Sequence, residues 1–166
     1  MVVHIHGGGF AFGDKRAGNM NAYLGSIKLG FAVASVEYRV SGEAIFPAAV
    51  LDCREAIRFL KEHAAEYKLD AKRIGLIGGS AGANLCAMLA MNVANGKFPG
   101  EDETSIGKND LFVKTAVCQF GIMHFSTMEA QARTNGISAT HEHASDMPES
   151  KYIGQPIDEA PEELVA

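Results

Sequence analysis

Residues 73–90, RIGLIGGSAGANLCAMLA, hold the strongest constraint on what this chain can fold into. A short apolar run breaks at Gly78-Gly79-Ser80-Ala81-Gly82 and resumes as a helix of small residues. That pattern predicts a strand that turns sharply into a helix, with a serine at the apex. In a G-x-S-x-G turn the serine backbone is strained, and side chains two positions before and after it would collide with neighbouring backbone. Gly78 and Gly82 occupy those two positions. The turn lifts the Ser80 hydroxyl above the sheet edge and aims the first N–H groups of the helix at the same space, an arrangement suited to a nucleophile beside a developing anion. A phosphate-binding reading does not fit. A dinucleotide fingerprint starting at Gly78 needs glycines at 80 and 83, where the chain has Ser80 and Ala83, and the Gly-Lys-Ser/Thr of a P-loop is absent.

A second motif precedes it. His6-Gly7-Gly8-Gly9-Phe10 follows the apolar strand Val2-Val3-His4-Ile5. Three consecutive glycines let bare backbone approach a substrate carbonyl, and an HGGG segment after a strand supplies oxyanion N–H groups in one branch of the serine hydrolases.

Through HGGGFAFGDK at 6–15, VEYR at 36–39, FPAAVLDCREAIRFL at 46–60 and RIGLIGGSAGANLCAML at 73–89, the chain resembles the α/β-hydrolase carboxylesterases of the hormone-sensitive-lipase-like and xylan-esterase-like group. The resemblance implies Ser80 as nucleophile, with Gly8, Gly9 and Ala81 as oxyanion N–H donors and no cofactor. It also implies a small-molecule substrate, a short acyl or aryl ester, including esters on plant polysaccharides. Peptidase or arylformamidase chemistry on the same scaffold is an alternative. The later segment PESKYIGQPIDEAPEELV resembles what these esterases carry between the sixth strand and the strand bearing the catalytic acid.

Such enzymes keep the order Ser, then Asp or Glu, then His, with acid and base on loops after the seventh and eighth strands. Here 86 residues follow Ser80, ending where the seventh strand is expected, and Met1 stands just before the strand that leads into HGGGF. Residues 1–166 therefore read as a single incomplete α/β-hydrolase domain, in which the triad acid and histidine are not identified. Alone, such a piece is expected to be nearly inactive, because removing the histidine of a triad costs roughly 10⁶ in turnover. A non-catalytic domain that associates through open sheet edges is the competing expectation.

The histidines after Ser80 do not supply a substitute triad. His124, in Phe120-Gly121-Ile122-Met123-His124-Phe125, is expected to be a polar loop residue. His141 and His143 lie in a polar stretch with Thr140, Ser145 and Asp146 and read as solvated loop. H-E-H lacks the i, i+4 spacing of H-E-x-x-H, so no metal site is expected. Of the two strand histidines, His6 is expected to order the glycine loop and His4 to be a packed neighbour.

At 47% hydrophobic and 21% charged, 166 residues suffice for one soluble globular domain with a core. A net charge of −5 gives no basic stripe for nucleic acid, and no apolar stretch is long enough to span a bilayer. Cys53, Cys86 and Cys118 are expected to be buried free thiols in a reducing compartment, which with the lack of a leader favours the cytoplasm.

Strand and helix alternate along the chain. Strands are expected at 2–6, 31–38, 73–77 and 114–120, and helices at 19–29, from Pro47 onward and at 81–94. The 31–38 run, FAVASVEY, reads as a strand buried on both faces. Val50, Cys53, Ile57, Leu60 and Ala64 form one apolar stripe on the second helix. This order specifies an α/β fold, a mainly parallel sheet of about four strands with helices on both faces. Residues 95–110 read as a surface loop, and the chain beyond Ser126 as irregular or weakly helical. Met88 and Met91 are expected in the core, Asp52 as a structural hydrogen-bonding partner, Glu37-Tyr38-Arg39 as ordering the neighbouring loop, and Phe10 and Phe12 as lining an acyl pocket.

Overall fold

The computed structural model describes residues 1–16, 20–95, 113–137 and 145–165. Four strands, β1 (Val2–Ile5), β2 (Val33–Val36), β3 (Gly75–Gly79) and β4 (Thr115–Gln119), form one sheet in the order β2-β1-β3-β4, and every pairing is parallel. Parallel neighbours need crossover connections. These contain α1 (Met20–Leu24) between β1 and β2, α2 (Ala48–Glu62) between β2 and β3, and α3 (Ala81–Asn95) between β3 and β4.

The two faces of the sheet are covered differently. Val3, Ile5 and Leu76 point into a core shared with Val50, Cys53 and Ile57 of α2 and Leu85, Cys86 and Leu89 of α3. The alternate residue His4 faces the other side, where its ring lies 4.6 Å from that of Tyr23 on α1. Helices therefore flank both faces, the heavier layer being the α2/α3 side.

Each helix follows from its sequence. Pro47 caps the start of α2, where a missing N–H costs nothing, and Ala64 extends the buried stripe just past the helix end. The predicted helix at 19–29 resolves into α1 followed by a tight 3₁₀ turn, Gly25–Leu29, closed by Gly30 in the left-handed conformation. Among the described residues beyond β4 the helices are short: α4 (Met128–Thr134), α5 (Pro148–Ile153) and α6 (Glu162–Val165), with 3₁₀ turns at Phe125–Thr127 and Ile157–Glu159. Among the described residues no helix is long and apolar enough to cross a membrane.

Several expectations are corrected. The 31–38 run forms a strand only over Val33–Val36, and that strand is a half-buried edge, with Phe31 49% exposed. An edge strand has a neighbour on one side only, so its apolar run is not enclosed. Cys53 and Cys86 are buried, but Cys118 is exposed because β4 is the opposite edge. Met91 is 71% exposed on α3 rather than core, while Met88 packs partly against the core. The expected loop at 95–110, beyond Asn95 itself, and the readings of His141 and His143 fall outside the described residues.

His4 provides a pH test of this packing. Its side chain is fully buried, with Nδ1 3.0 Å from Ser35 Oγ. Burial, and then the nearby His6, lower its pKa below 6.5. The unfolded chain thus binds the proton first as pH falls. His4 should subtract nothing from stability above about pH 6.5, then erode it down to its lowered folded pKa at up to about 1.4 kcal/mol per pH unit. Urea midpoints measured for the native chain and His4→Gln at pH 7.5 and 5 check this. The native chain should lose more than the variant, and equal losses would remove His4 as a titrating element.

Candidate active site

The site lies at the C-terminal ends of β1 and β3, where open parallel sheets place their ligands. Ser80 follows β3 directly, with φ 54°, a left-handed conformation that side-chain-bearing residues adopt only under constraint. The constraint is visible. Ser80 N–H donates to Gln119 O on β4 at 2.9 Å, and Ser80 O accepts from the N–H groups of Ala83 and Asn84 as α3 begins. A β-carbon at Gly78 would fall against Gly82 O and 2.9 Å from Ile5 O, and one at Gly82 would fall against Ile5 O and 2.6 Å from His6 O. Backbone occupies both spaces, so only hydrogen fits.

The glycine loop rests on this turn. A β-carbon at Gly7 would be 2.7 Å from Gly79 O and 3.4 Å from Ser80 Cβ. Gly8 and Gly9 take φ 122° and 56°, so the loop folds back through Ala11 and Phe12 N–H groups that donate to Gly8 O. The amides of Gly8, Gly9 and Ala81 donate to no acceptor among the described residues. Three uncommitted N–H groups thus stand on backbone that adjoins Ser80.

Two devices hold the loop. His6 is fully buried, and its Nδ1 lies 2.8 Å from Gly7 O; a carbonyl only accepts, so Nδ1 carries the proton. Tyr38 stacks on the His6 ring at 4.1 Å and 13°, and its hydroxyl donates to His6 O at 2.8 Å. Burial, with Cys53 and Cys86 nearby, pushes the Tyr38 phenol well above its usual range, keeping it a neutral donor. At the far end Ser41 N–H donates to Phe10 O at 2.7 Å. The 38–41 segment is itself tied to α2, where Arg39 grips Asp52 through Nε (2.8 Å), a terminal nitrogen (2.7 Å) and its own N–H (2.9 Å). Burial would raise the Asp52 carboxyl, but these bonds to Arg39 outweigh it and hold it below the ordinary range. Lys15, just past the loop, pairs with Glu37 at 3.0 Å.

Phe10 does not line a pocket. It is 1% exposed and stacks on Tyr152 of α5 at 3.9 Å and 10°, with Phe125 edge-on at 6.0 Å, so its ring belongs to the core beneath the loop. Phe12 is 69% exposed. The residues that brace Phe10 were not foreseen, since Tyr152 and Phe125 carry no local signal of meeting it. Pro148, at the start of α5, closes over Gly9, where a β-carbon would be 3.1 Å from its own. His124 lies in the loop after β4, half-buried, its Nδ1 3.1 Å from Ser126 Oγ. No histidine or carboxylate among the described residues hydrogen-bonds to Ser80 Oγ.

A chemical reading follows from the donors. Acyl transfer is stabilised where already oriented N–H dipoles receive an oxyanion, and uncommitted amides on backbone adjoining a serine are the donors such a step requires. Comparison with known proteins agrees with the architecture. Over 94 residues, 57% of this chain and 12% of the relative, the sequence is 35% identical to hormone-sensitive lipase of Bos taurus. It is 34% identical over 98 residues to an arylesterase of Saccharolobus solfataricus, covering 59% of this chain and 32% of that one. The chain thus spans a third or less of the length of these relatives. A solved truncated form of a carbohydrate esterase from gut microbiota superposes with a TM-score of 0.73 at 29% identity, covering 95% of this chain and 56% of that one. The BD-FAE family model matches residues 1–166 throughout, and the chain belongs to that family of esterase-like α/β hydrolases.

Proposed function

We propose that this chain carries the nucleophile and oxyanion hole of a serine ester hydrolase working through an acyl-enzyme. Ser80 Oγ attacks the carbonyl carbon of a short acyl or aryl ester, and a base takes its proton. The carbonyl oxygen becomes an oxyanion held by the amides of Gly8, Gly9 and Ala81. As the C–O bond to the alcohol breaks, the proton passes to the departing alkoxide, and water then releases the acid from Ser80. The histidine and acid of the relay are not identified among the described residues. Esters carried on polysaccharide fit the reading, since a carbohydrate esterase is among the structural neighbours.

The observation that carries this reading is the contact of the Ser80 turn with a glycine loop whose amides are uncommitted. Hydrolysis of p-nitrophenyl acetate by the purified 166 residues tests it. A weak rate, roughly 10⁶ below that of a complete triad yet above background and lost in Ser80→Ala, is the expected result; a rate unchanged by the substitution defeats it.

A second reading has its own support. β4 is an edge strand with Val117 46% and Phe120 81% exposed, so the chain is proposed to associate through that edge if it turns over nothing. Size-exclusion chromatography showing a monomer with measurable Ser80-dependent hydrolysis would dismiss it.

A further inference from the structure

Among the described residues four non-glycine residues have left-handed backbone, and three of them, Phe10, Ser80 and Phe120, lie beyond the C-terminal ends of β1, β3 and β4. Phe10 is accounted for by its burial on Tyr152, and Ser80 by the turn it makes. Phe120 has φ 42° and yet is 81% exposed, so burial does not account for its strain. Strain of this kind persists where the surroundings impose it, and it concentrates at ligand sites.

The surroundings of Phe120 are the nucleophile turn. Its ring lies on Gly79, where a β-carbon would be 2.9 Å from Cζ, and the preceding Gln119 O binds Ser80 N–H at 2.9 Å. The chain then crosses the first turn of α3. A β-carbon at Gly121 would meet that of Ala83 at 2.6 Å, and Asn84, 7% exposed, donates Nδ2–H to Ile122 O at 2.8 Å. Met123, 47% exposed, closes this crossing. Two apolar side chains of one clamped segment are thus held out to solvent, the Phe120 ring against Gly79 of the Ser80 turn and Met123 beside Gly121.

Resting on the ester-hydrolase reading, we propose that Phe120, with Met123 at its edge, is a specificity-determining wall that holds the aryl group of an ester beside Ser80. A ring face fixed by strained backbone loses little freedom on binding, and aromatic rings prefer offset or edge-on partners of their own kind.

Acetanilide, an unreactive planar analogue of phenyl acetate, tests this by NMR titration of the 166-residue chain against N-cyclohexylacetamide, which lacks the ring. Acetanilide should shift the Met123 methyl and Phe120 ring signals and bind more tightly than the cyclohexyl compound. Its Kd should weaken about fivefold in Phe120→Ala, the scale of one aromatic pair, and change little in Phe120→Tyr. Phe120→Leu, which keeps apolar bulk without a ring, should behave like Phe120→Ala and serves if the alanine variant does not fold. Equal binding of the two amides, or unchanged binding in Phe120→Leu, would overturn the proposal. Binding lost while Ser80 still reacts defeats the wall alone; binding kept while Ser80 is inert defeats the hydrolase reading and leaves the wall standing.

Discussion

A fluorophosphonate should leave a single adduct on this chain, on Ser80, and Ser80→Ala should abolish it. Among the described residues two other serines compete, because each has a histidine within reach: Ser35 Oγ is 3.0 Å from His4 Nδ1, and Ser126 Oγ is 3.1 Å from His124 Nδ1. A positioned base contributes roughly 10²–10⁴. Each oxyanion donor contributes roughly 10²–10³, and the hole proposed at Ser80 has three uncommitted amides, those of Gly8, Gly9 and Ala81. Together those donors outweigh a lone base. Ser35 lies within β2, whose register with β1 holds its backbone in the sheet, and Ser126 sits in a 3₁₀ turn with no glycine loop against it. Peptide mapping by mass spectrometry decides the matter: an adduct on Ser35 or Ser126 would mean that the base, not the oxyanion hole, selects the nucleophile.

Gly82→Ala should unfold much of the population. The new methyl would meet Ile5 O well inside contact distance and His6 O at 2.6 Å, both backbone atoms of β1 and its exit. A side chain can rotate away; a central strand cannot move without breaking its pairing to both β2 and β3. Overpacking against yielding neighbours costs about 1–3 kcal/mol, so an unyielding contact should exceed about 3 kcal/mol, a large part of a domain's stability. Gly42→Ala is the matched control, since a β-carbon there meets nothing within 4 Å and its φ is not positive. Urea midpoints of the two variants should differ widely, and a Gly82→Ala midpoint close to that of Gly42→Ala would show that β1 and α3 are not locked together as described.

Much of this was legible before the fold was known. The alternation of apolar runs with periodic stripes placed all four strands and the three long helical segments, because hydrophobic period is a local property of the chain. Gly78, Ser80 and Gly82 were legible for the same reason: their spacing reports a turn made by neighbours in sequence. Errors fell where local pattern is silent. Phe10 sits beside Gly7, Gly8 and Gly9 in sequence, yet the left-handed turn at Gly9 and Phe10 sends its ring down onto Tyr152, more than a hundred residues away. Phe120 likewise gave no warning, because its ring meets Gly79 on the neighbouring strand, about forty residues away in sequence.

By itself, then, the sequence determined the elements, the sharp turn at Ser80 and the bare backbone of residues 7–9, since each depends on residues close in the chain and on the steric needs of glycine. Only the tertiary structure decided that β1 lies beside β3, that Tyr38 and His6 brace the loop against the Ser80 turn, and that β2 and β4 are edges with Cys118 exposed. Strand order is set by how crossover helices pack on a shared core, a sum over distant contacts that no single segment encodes.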